Sequence, residues 1–536
     1  MVKKLNKNKI LNKKATGVIA LAVMTSRILG LIREVLFNAL FGSSLMGIFL
    51  IAFRAPNLLR DLFAEGALSI SFVNVFTQKL ETDGEASAWE LASKMLTLCT
   101  VLMSSITILG IFFAKPIIHI LAPYLLPTDM DTVILLTQIM YPFILLVSLA
   151  AIVMGILNAK NVFGIPALAS SFFNIGSILG GVILGWYFDD KFGANALVGL
   201  ALGTLLGGLL QLLVQLPALK KLHFHFKFNI SWKDESLRKV LILTIPAIIA
   251  ASAVQVNVLM NTAFASYIGT EAITWLNSAF RLMQFPLGMF GVAVATITLP
   301  VIARIAVSEE KQLFGDTLGQ SLRLAIFLTT PMAVILCIFA HPIISLIYQH
   351  GKFNESDTLQ TAFALRYYAL GLVAYSCIKV LSPAFYSINK KWTPMFVSLI
   401  SIVLNFGLNY YLLLKFQIGH RGLAISTSVS AIFNALVLYN LMTYQYKMSQ
   451  RQIIVDILSC GISCAILGFP YYLIVSHFTY FFTASAPFLI QCLVLFSSLI
   501  SFVSGYLFLT YMLKIEFARD LLSFIHVVNP KIETAV

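Results

Sequence analysis

Eight cationic side chains lie in segments that are otherwise apolar enough to cross a membrane: Arg27, Arg33, Arg54, Arg60, Arg281, Arg323, Arg366 and Lys379. Three carboxylates lie in the same segments: Glu34, Asp61 and Glu65. A charge at membrane depth is costly and is normally retained where it lines a wet cavity or a binding site. Because a guanidinium group matches the oxygens of a phosphate, this excess of arginine predicts a cavity for an anionic, phosphate-bearing cargo.

The first apolar segment carries two of these arginines. Arg27 and Arg33 lie six residues apart, so both can face a wide cleft, and Glu34 shares a helical face with Arg27 as a possible partner. Ser26 precedes the pair, and Gly30 between them permits a bend.

The second apolar segment is the most polar one. Pro56 predicts a kink or a locally opened helix, and Arg60 points roughly opposite Arg54. A single stripe of this segment carries Arg54, Asn57, Asp61 and Glu65. We expect Arg27, Arg33, Arg60 and Arg281 to bind the cargo, and Ser26, Gly30, Glu34, Arg54, Pro56, Asn57, Glu65 and Lys379 to support or gate that site.

A structural role is an alternative for several of these cations. Arg54 has two acids on its own stripe, so ion pairing and cargo binding are equally compatible with its position. Lys379 lies deep in its segment and leaves the same two alternatives open. For Arg323 and Arg366 we favour a structural role near a membrane interface, where a long side chain can reach the headgroups.

Composition predicts an all-α polytopic membrane protein. Of the 536 residues 59% are hydrophobic and 11% are charged, and mean hydropathy is +0.89, whereas a soluble domain has about 25% charged residues. Fourteen runs are long enough to span a bilayer. With the N-terminus inside, the cytoplasmic loops and tails hold 24 lysines and arginines and the opposite loops hold five. Both termini are therefore expected in the cytoplasm.

The same pattern limits the possible functions. The net charge of +14 follows from topology and contact with anionic lipid, so we expect no nucleic acid partner. The sequence contains no phosphate-binding Walker loop, no zinc motif and no nucleophile–base constellation. We therefore expect a protein that is not an enzyme, with no catalytic residues, metal ligands or cofactor. The six cysteines are expected to be buried apolar side chains.

An offset of 226 to 228 residues makes the chain match itself. Residues 113–118 recur as 339–344, and 52–54 recur as 279–281. The offset spans six helices, an even number, so the copies are expected to be parallel, as in transporters that rock two bundles around a central site. The expected organisation is a basic cytoplasmic tail at 1–15, an N-lobe at 16–217, a linker at 218–236, a C-lobe at 237–443, two added helices at 444–513 and a second cytoplasmic tail at 514–536.

These motifs resemble the MurJ (MviN) family of lipid II flippases, within the multidrug/oligosaccharidyl-lipid/polysaccharide exporter superfamily. The motifs that carry the resemblance are Ser26–Glu34, Ala52–Ala67 and Arg281–Gly288. The resemblance implies fourteen helices, two lobes around a cationic cavity, cavity arginines at the four positions expected to bind cargo, and a groove for the lipid tail in the last two helices. The chain departs from the family at Gly47/Ile48, Phe280 and Gln284, where the family carries acids, and at Asp61, where it often carries a base.

From these features we expect a flippase of the bacterial inner membrane. Its cargo would be lipid II, an anionic polyprenyl-pyrophosphate glycolipid that serves cell wall synthesis, carried from the inner to the outer leaflet by alternating access. Membrane lipids and cell wall synthesis proteins are the other expected partners. Two alternatives stay open: a flippase for another polyprenyl-linked polysaccharide, and a membrane scaffold that transports nothing. The sequence does not indicate the energy source.

Overall fold

The computed structural model describes residues 13–63, 67–229, 234–308, 310–446, 448–482 and 486–520. Helices joined by turns make up this part of the chain, and no strand occurs in it. The helical fold expected from composition is therefore confirmed. The residues form two compact units that divide after Ile273. The lobe boundaries expected from the sequence stay a prediction.

The first unit begins with a long helix that breaks once. Helix α1 contains Gly42 at φ 76°, ψ 173°, where two membrane segments meet. Only glycine adopts this backbone without strain. The helices of this unit are α1 (Lys13–Phe63), α2 (Ala67–Thr82), α3 (Glu85–Phe112), α4 (Ala114–Leu121), α5 (Pro127–Met140), α6 (Phe143–Ala159), α7 (Gly164–Phe188), α8 (Ala196–Leu213), α9 (Leu216–Lys221) and α10 (Glu235–Ile268).

The second unit takes in most of the next helix and everything after it. Two π-helical turns, Leu287–Gly291 and Tyr411–Lys415, continue the α-helices that precede them. The helices are α11 (Thr270–Pro286), α12 (Val292–Ser308), α13 (Lys311–Ile338), α14 (Ala340–Tyr348), α15 (Glu355–Ala369), α16 (Leu372–Ser387), α17 (Trp392–Tyr410), α18 (His420–Tyr446), α19 (Gln450–His477) and α20 (Phe488–Met512).

Among the described residues, eleven helices are long and apolar enough to cross a membrane, or twelve if the bent pair α15 and α16 is one span. One of the eleven, Leu21–Phe63, contains the break at Gly42 and so covers two of the predicted runs. Helix α10 is a further 34-residue helix that matches the run predicted at 237–268. The helices are thus consistent with fourteen spans, although the number itself stays a prediction.

The internal repeat predicted from sequence recurs in the backbone of the two units. Directly after α3 and after α13 comes a phenylalanine with nearly the same dihedral angles, Phe113 (φ −95°, ψ 13°) and Phe339 (φ −92°, ψ 18°), and a short helix follows each. Farther on, Asn161 and Asn389 both take the left-handed conformation, at φ 61° and 60°. Because these breaks keep the offset of 226 to 228 residues, the repeat is a repeat of structure.

Glycines bring helices α7 and α8 into backbone contact. A side chain on Gly203 would overlap the backbone of Gly180 and Gly181, and one on Gly199 would overlap that of Leu184 and Gly185. Small residues allow membrane helices to approach this closely, because apolar burial gives them little driving force in lipid. The two helices therefore form a rigid support, and α7 also packs against α1, where the candidate site begins.

An ion pair joins the start of α10 to α3, and hydrogen bonds between side chains join it to α2. The Lys94 ammonium group lies 2.7 Å from the Asp234 carboxylate, which also caps α10 by accepting from the Leu237 N–H. Burial would raise the pKa of Asp234, but the Lys94 hydrogen bond, the Leu237 N–H and the Lys94 charge outweigh it, so that the pKa is lowered. Residues 224–229 run along α3, with Phe224 against Trp89, and include no strand. The linker expected at 218–236 stays a prediction.

Candidate functional site

Helix α1 places Arg27 and Arg33 in different surroundings. Arg27 is exposed beside Met24 and Ile28. Arg33 is half-buried, and its Cζ atom lies 4.9 Å from the centroid of the Phe173 ring on α7. Stacking on an aromatic face restrains the guanidinium plane while its N–H groups point outward within that plane. The contact with Phe173 thus restrains a guanidinium group of the kind that recognises an anion.

Asn174 connects the same helix pair through the backbone. Its amide nitrogen donates to the carbonyl oxygens of Ser26 and Ser170, both at 3.1 Å. Gly30 lies buried between the two arginines, and α1 stays helical through it. The helix is thus not interrupted at Gly30, and Asn174 ties the α1 backbone to α7 at Ser26.

Glu34 does not pair with Arg27. The Glu34 side chain is buried, whereas Arg27 is exposed and has no ion-pair partner within the described residues. The two lie on one helical face, as their spacing predicts, but at different depths in the fold. Arg27 therefore keeps its charge available at the surface of the first unit.

The second half of α1 stays helical through Pro56, which is buried, so the locally opened helix is not found there, and the kink stays a prediction. Arg54 and Asn57 are half-buried on this helix. The neighbouring Phe53 packs on Phe143, with ring centroids 5.3 Å apart. Helix α1 ends at Phe63, and Glu65 lies outside the described residues.

Arg60 is engaged with an acid on its own helix. Its Nε and terminal nitrogen donate to one oxygen of Asp61, at 3.2 and 2.8 Å. The other Asp61 oxygen accepts a 3.3 Å hydrogen bond from Gln255 on α10. Arg60 therefore lies in a three-residue network that joins α1 to α10.

In the second unit, Arg281 lies on an exposed face of α11 beside Gln284 and Phe285. The opposite face is anchored. The Trp275 indole nitrogen donates to Asp357 at 2.8 Å, and the Phe280 ring lies 5.3 Å from that of Tyr368. These contacts fix α11 within its own unit and leave the guanidinium group on the outward side.

A π-helical turn follows α11 directly. Its last residue, Gly291, packs on Ser376 of α16, where a side chain would come within 2.8 Å of the Ser376 oxygen. Lys379 lies three residues farther along α16 and is exposed. Turns of this kind are frequent at functional sites. The predicted supporting role of Lys379 stays a prediction.

Arg323 has the structural role expected for it, by a different means. Instead of reaching a headgroup region, it is buried, and its Nε donates to Asp456 of α19 at 2.5 Å. Glu516 lies 3.5 Å away on the other side. Asp456 is not among the three carboxylates that the sequence pattern sets against the arginines. Arg366 is half-buried, with its Cζ 5.7 Å from the Phe363 ring.

An apolar groove of about 420 Å³ runs between α13 and α19. Val334, Ile338, Ala465, Gly468, Phe469 and Tyr472 are among its lining residues. The groove involves the first of the two helices that lie outside the repeat, and its other wall comes from the repeat itself. No group of three or more potential metal ligands occurs in the described part of the chain.

Comparison with known proteins identifies the family. The family model described as "Lipid II flippase MurJ" matches residues 37–491. This chain belongs to the MurJ family. A "Probable lipid II flippase MurJ" of Buchnera aphidicola subsp. Acyrthosiphon pisum is 35% identical over 81% of this chain and 83% of its own length. A "Lipid II flippase MurJ" of Burkholderia cenocepacia is 33% identical over 78% of this chain and 81% of its own.

Solved structures agree with the family assignment. A structure titled "Lipid II flippase MurJ, inward closed conformation" matches 94% of this chain and 99% of its own length, with a TM-score of 0.75 and 27% identity. An inward-facing multidrug transporter of the MATE family, within the MOP superfamily, matches 81% of this chain and 99% of its own, with a TM-score of 0.67 and 16% identity, and so shares the fold. The protein is therefore a multi-pass membrane protein of the MurJ family.

Two of the departures from the MurJ family pattern, at Gly47 and Phe280, lie in close packing. A side chain on Gly47 would overlap the Thr270 carbonyl, and the Ser44 and Thr270 hydroxyl oxygens lie 3.1 Å apart. Phe280 packs between Tyr368 and Tyr375. At these two places, where the family is expected to carry charges, this chain uses contact between small or aromatic groups.

Four residues of these networks are absent from the sequence-based prediction: Phe173, Asn174, Gln255 and Asp456. Asn174, Gln255 and Asp456 carry a signal, since each is a polar side chain in an apolar helix. Phe173 carries none, because an aromatic residue in such a helix is ordinarily packing or lipid contact. Only the three-dimensional structure places its ring beneath Arg33.

Proposed function

We propose that this protein is a lipid II flippase of the bacterial inner membrane, with both termini in the cytoplasm. Membership of the MurJ family over residues 37–491 carries the proposal. The described site supports it, because α1, which is long and apolar enough to cross a membrane, carries Arg27, Arg33 and Arg60. Each is suited to a diphosphate rather than to a cationic drug.

The proposed cargo site holds the diphosphate of the lipid by its arginines. Arg33, held on Phe173, offers a guanidinium with restricted orientation, and Arg27 adds an exposed positive charge. The polyprenyl tail stays in the bilayer, and the apolar groove between α13 and α19 is the place where we expect part of it to pack. The protein thereby replaces hydrocarbon with a polar path for the headgroup.

Growth complementation tests the cargo site. When this chain replaces a depleted lipid II flippase, Arg33→Ala and Arg281→Ala should each abolish growth at normal protein levels. Arg238→Ala, at an exposed position near the start of α10, is the matched control and should complement. If both site variants complemented, the arginines would not bind the cargo, and a scaffold role would be favoured.

A reversible cross-link tests alternating access. Ser44 and Thr270 are hydrogen-bonded through their hydroxyl groups, so cysteines at both positions are placed to form a disulfide. The bridge should hold the break in α1 against the start of α11 and stop transport, and reductant should restore transport. Each single cysteine variant is the control. Undiminished transport with a fully formed bridge would exclude a mechanism in which this contact opens.

Labelling from outside the cell tests the orientation. Single cysteines at Lys191 or Lys352 should react with an impermeant reagent, and those at Lys221 or Lys390 should not. All four positions are exposed in their own units, so that reactivity reports the side of the membrane. The reverse pattern would overturn the proposed topology.

A further inference from the structure

The contact between Arg60 and Asp61 brings a carboxylate onto one of the proposed cargo-binding arginines. Two nitrogens of the Arg60 guanidinium donate to the same Asp61 oxygen, at 3.2 and 2.8 Å. A carboxylate in this position uses the donors that a phosphate oxygen would use. The fold thus supplies its own anion at a place where the cargo would supply one.

The second oxygen of Asp61 has a separate partner. Gln255 donates to it from α10 at 3.3 Å. If an incoming anion took the Arg60 donors, Asp61 would keep this hydrogen bond and would not be left without a partner. An incoming anion can therefore replace the contact between Arg60 and Asp61 while the hydrogen bond between Gln255 and Asp61 stays.

Exposure separates this pair from a purely structural one. The side chains of Arg60 and Asp61 are 23% and 28% exposed, whereas those of the Arg323–Asp456 pair are 10% and 7% exposed. A partly exposed pair is worth about 0–1 kcal/mol, so that a diphosphate can displace it at little cost. A buried pair does not exchange in this way.

We propose that Asp61 is the resident counterion of Arg60, displaced when the diphosphate of the cargo binds, and that Gln255 holds Asp61 during the exchange. The inference rests on the proposed function. In the empty protein Asp61 neutralises Arg60. When the cargo leaves, Asp61 returns and competes with rebinding. Asp61 is thus a positioning residue that lowers affinity for the cargo and promotes its release.

Binding of undecaprenyl pyrophosphate to the full chain in detergent, measured by native mass spectrometry, tests this inference. Asp61→Asn keeps the size of the side chain and its acceptor for Gln255 but removes the competing charge. It should raise the affinity about fivefold. Asp83→Asn, at an exposed acid elsewhere in the first unit, is the matched control and should leave the affinity unchanged. Undecaprenol, which lacks the diphosphate, should bind equally to all three proteins.

A double-mutant cycle separates exchange from general repulsion. Arg60→Ala should weaken binding, and Asp61→Asn should bring almost no gain in that background, because the arginine that it competes for is absent. An equal gain in both backgrounds would overturn the counterion role. If Arg60→Ala, Arg33→Ala and Arg27→Ala all bound undecaprenyl pyrophosphate normally, the proposed cargo site itself would fail.

Gln255→Met should change the affinity for undecaprenyl pyrophosphate in the opposite direction from Asp61→Asn. Without the amide, displaced Asp61 has lost its remaining hydrogen bond, so the affinity should fall about twofold to fivefold. The same change combined with Asp61→Asn should have a smaller effect. A misfolded site would lower affinity in both variants, whereas the proposed exchange raises it in one and lowers it in the other. A gain in affinity from Gln255→Met would contradict the role assigned to that residue.

Discussion

Each unit contains an arginine paired with an aspartate in its membrane helices. The two pairs differ in sequence separation and in the exposure of their side chains. Arg60 and Asp61 are adjacent in sequence and about a quarter exposed. Arg323 and Asp456 lie 133 residues apart on α13 and α19 and are nearly enclosed. The first pair lies on α1, which also carries the candidate cargo-binding residues Arg27 and Arg33, and the second joins two helices of one unit.

The difference shows that a membrane-depth charge has two uses that composition cannot distinguish. A pair withdrawn from water must stay together, because either charge alone would be left unsolvated. A pair that keeps contact with water can part when another anion takes its place. Exposure, rather than the identity of the residues, therefore distinguishes a structural pair from an exchangeable one.

Breaking the buried pair should have the largest effect on stability. Arg323→Ala leaves Asp456 charged and enclosed, and it should lower the free energy of unfolding by about 3–5 kcal/mol. Thermal unfolding of the purified protein in detergent, together with its level in the membrane, would measure this. An unchanged unfolding midpoint would mean that the pair is not structural, and the contrast with Arg60 would disappear.

Replacing both members of the buried pair should restore most of that stability. Arg323→Met combined with Asp456→Leu removes both charges and keeps apolar volume, and such replacements are often neutral or better. The double variant should unfold within about 1 kcal/mol of the wild type. It should also complement growth. Loss of growth at normal stability would assign Arg323 a role beyond packing.

Arg60→Ala should show the reverse behaviour. Its pair is partly exposed, so the free energy of unfolding should change by less than about 1 kcal/mol. Growth complementation should nevertheless be lost. A melting curve and a complementation assay on Arg60→Ala measure its stability and its function separately. A large loss of stability would mean that the Arg60–Asp61 pair is structural, like the Arg323–Asp456 pair.

Asp234 offers a third pair, with the smallest expected effect. Asp234→Asn keeps the cap on α10 but removes the charge facing Lys94, and it should cost about 0.2–1 kcal/mol at neutral pH. The pKa of Asp234 is lowered in the folded protein, so its contribution is present above the ordinary value of 3.8 and is lost as the pH falls. The difference in unfolding midpoint between wild type and variant should therefore shrink below about pH 3.8.

Much of the fold could be predicted because it depends on local patterns. Long apolar runs specify the membrane helices, and the offset between residues 113–118 and 339–344 specifies the repeat, down to the helix break at Phe113 and Phe339. At Pro56 the sequence left two outcomes, a kink or a locally opened helix, and α1 stays helical through this residue, so the opened helix was the wrong one of the two.

The site was predictable in its residue types and not in its pairings. The sequence identifies Arg33 and Arg60 as unusual, since charge at membrane depth needs a reason. It does not show that Phe173 lies under Arg33, nor that Asp456 reaches Arg323 from a helix 133 residues away. Such contacts depend on how helices that are distant in sequence pack together, and the spacing of residues along the chain does not show this.

The π-helical turn at Leu287–Gly291 changes the helical periodicity that a mutational scan of this region will show. A π turn holds more residues than an α turn, so the helical phase shifts as the chain passes through it. Positions that share a face with Arg281 at intervals of 3.6 residues cease to do so beyond Gly291. In a cysteine or tryptophan scan, the periodicity of the response should therefore change phase between Phe285 and Thr296, and a single sine wave fitted through both would assign the wrong face to α12.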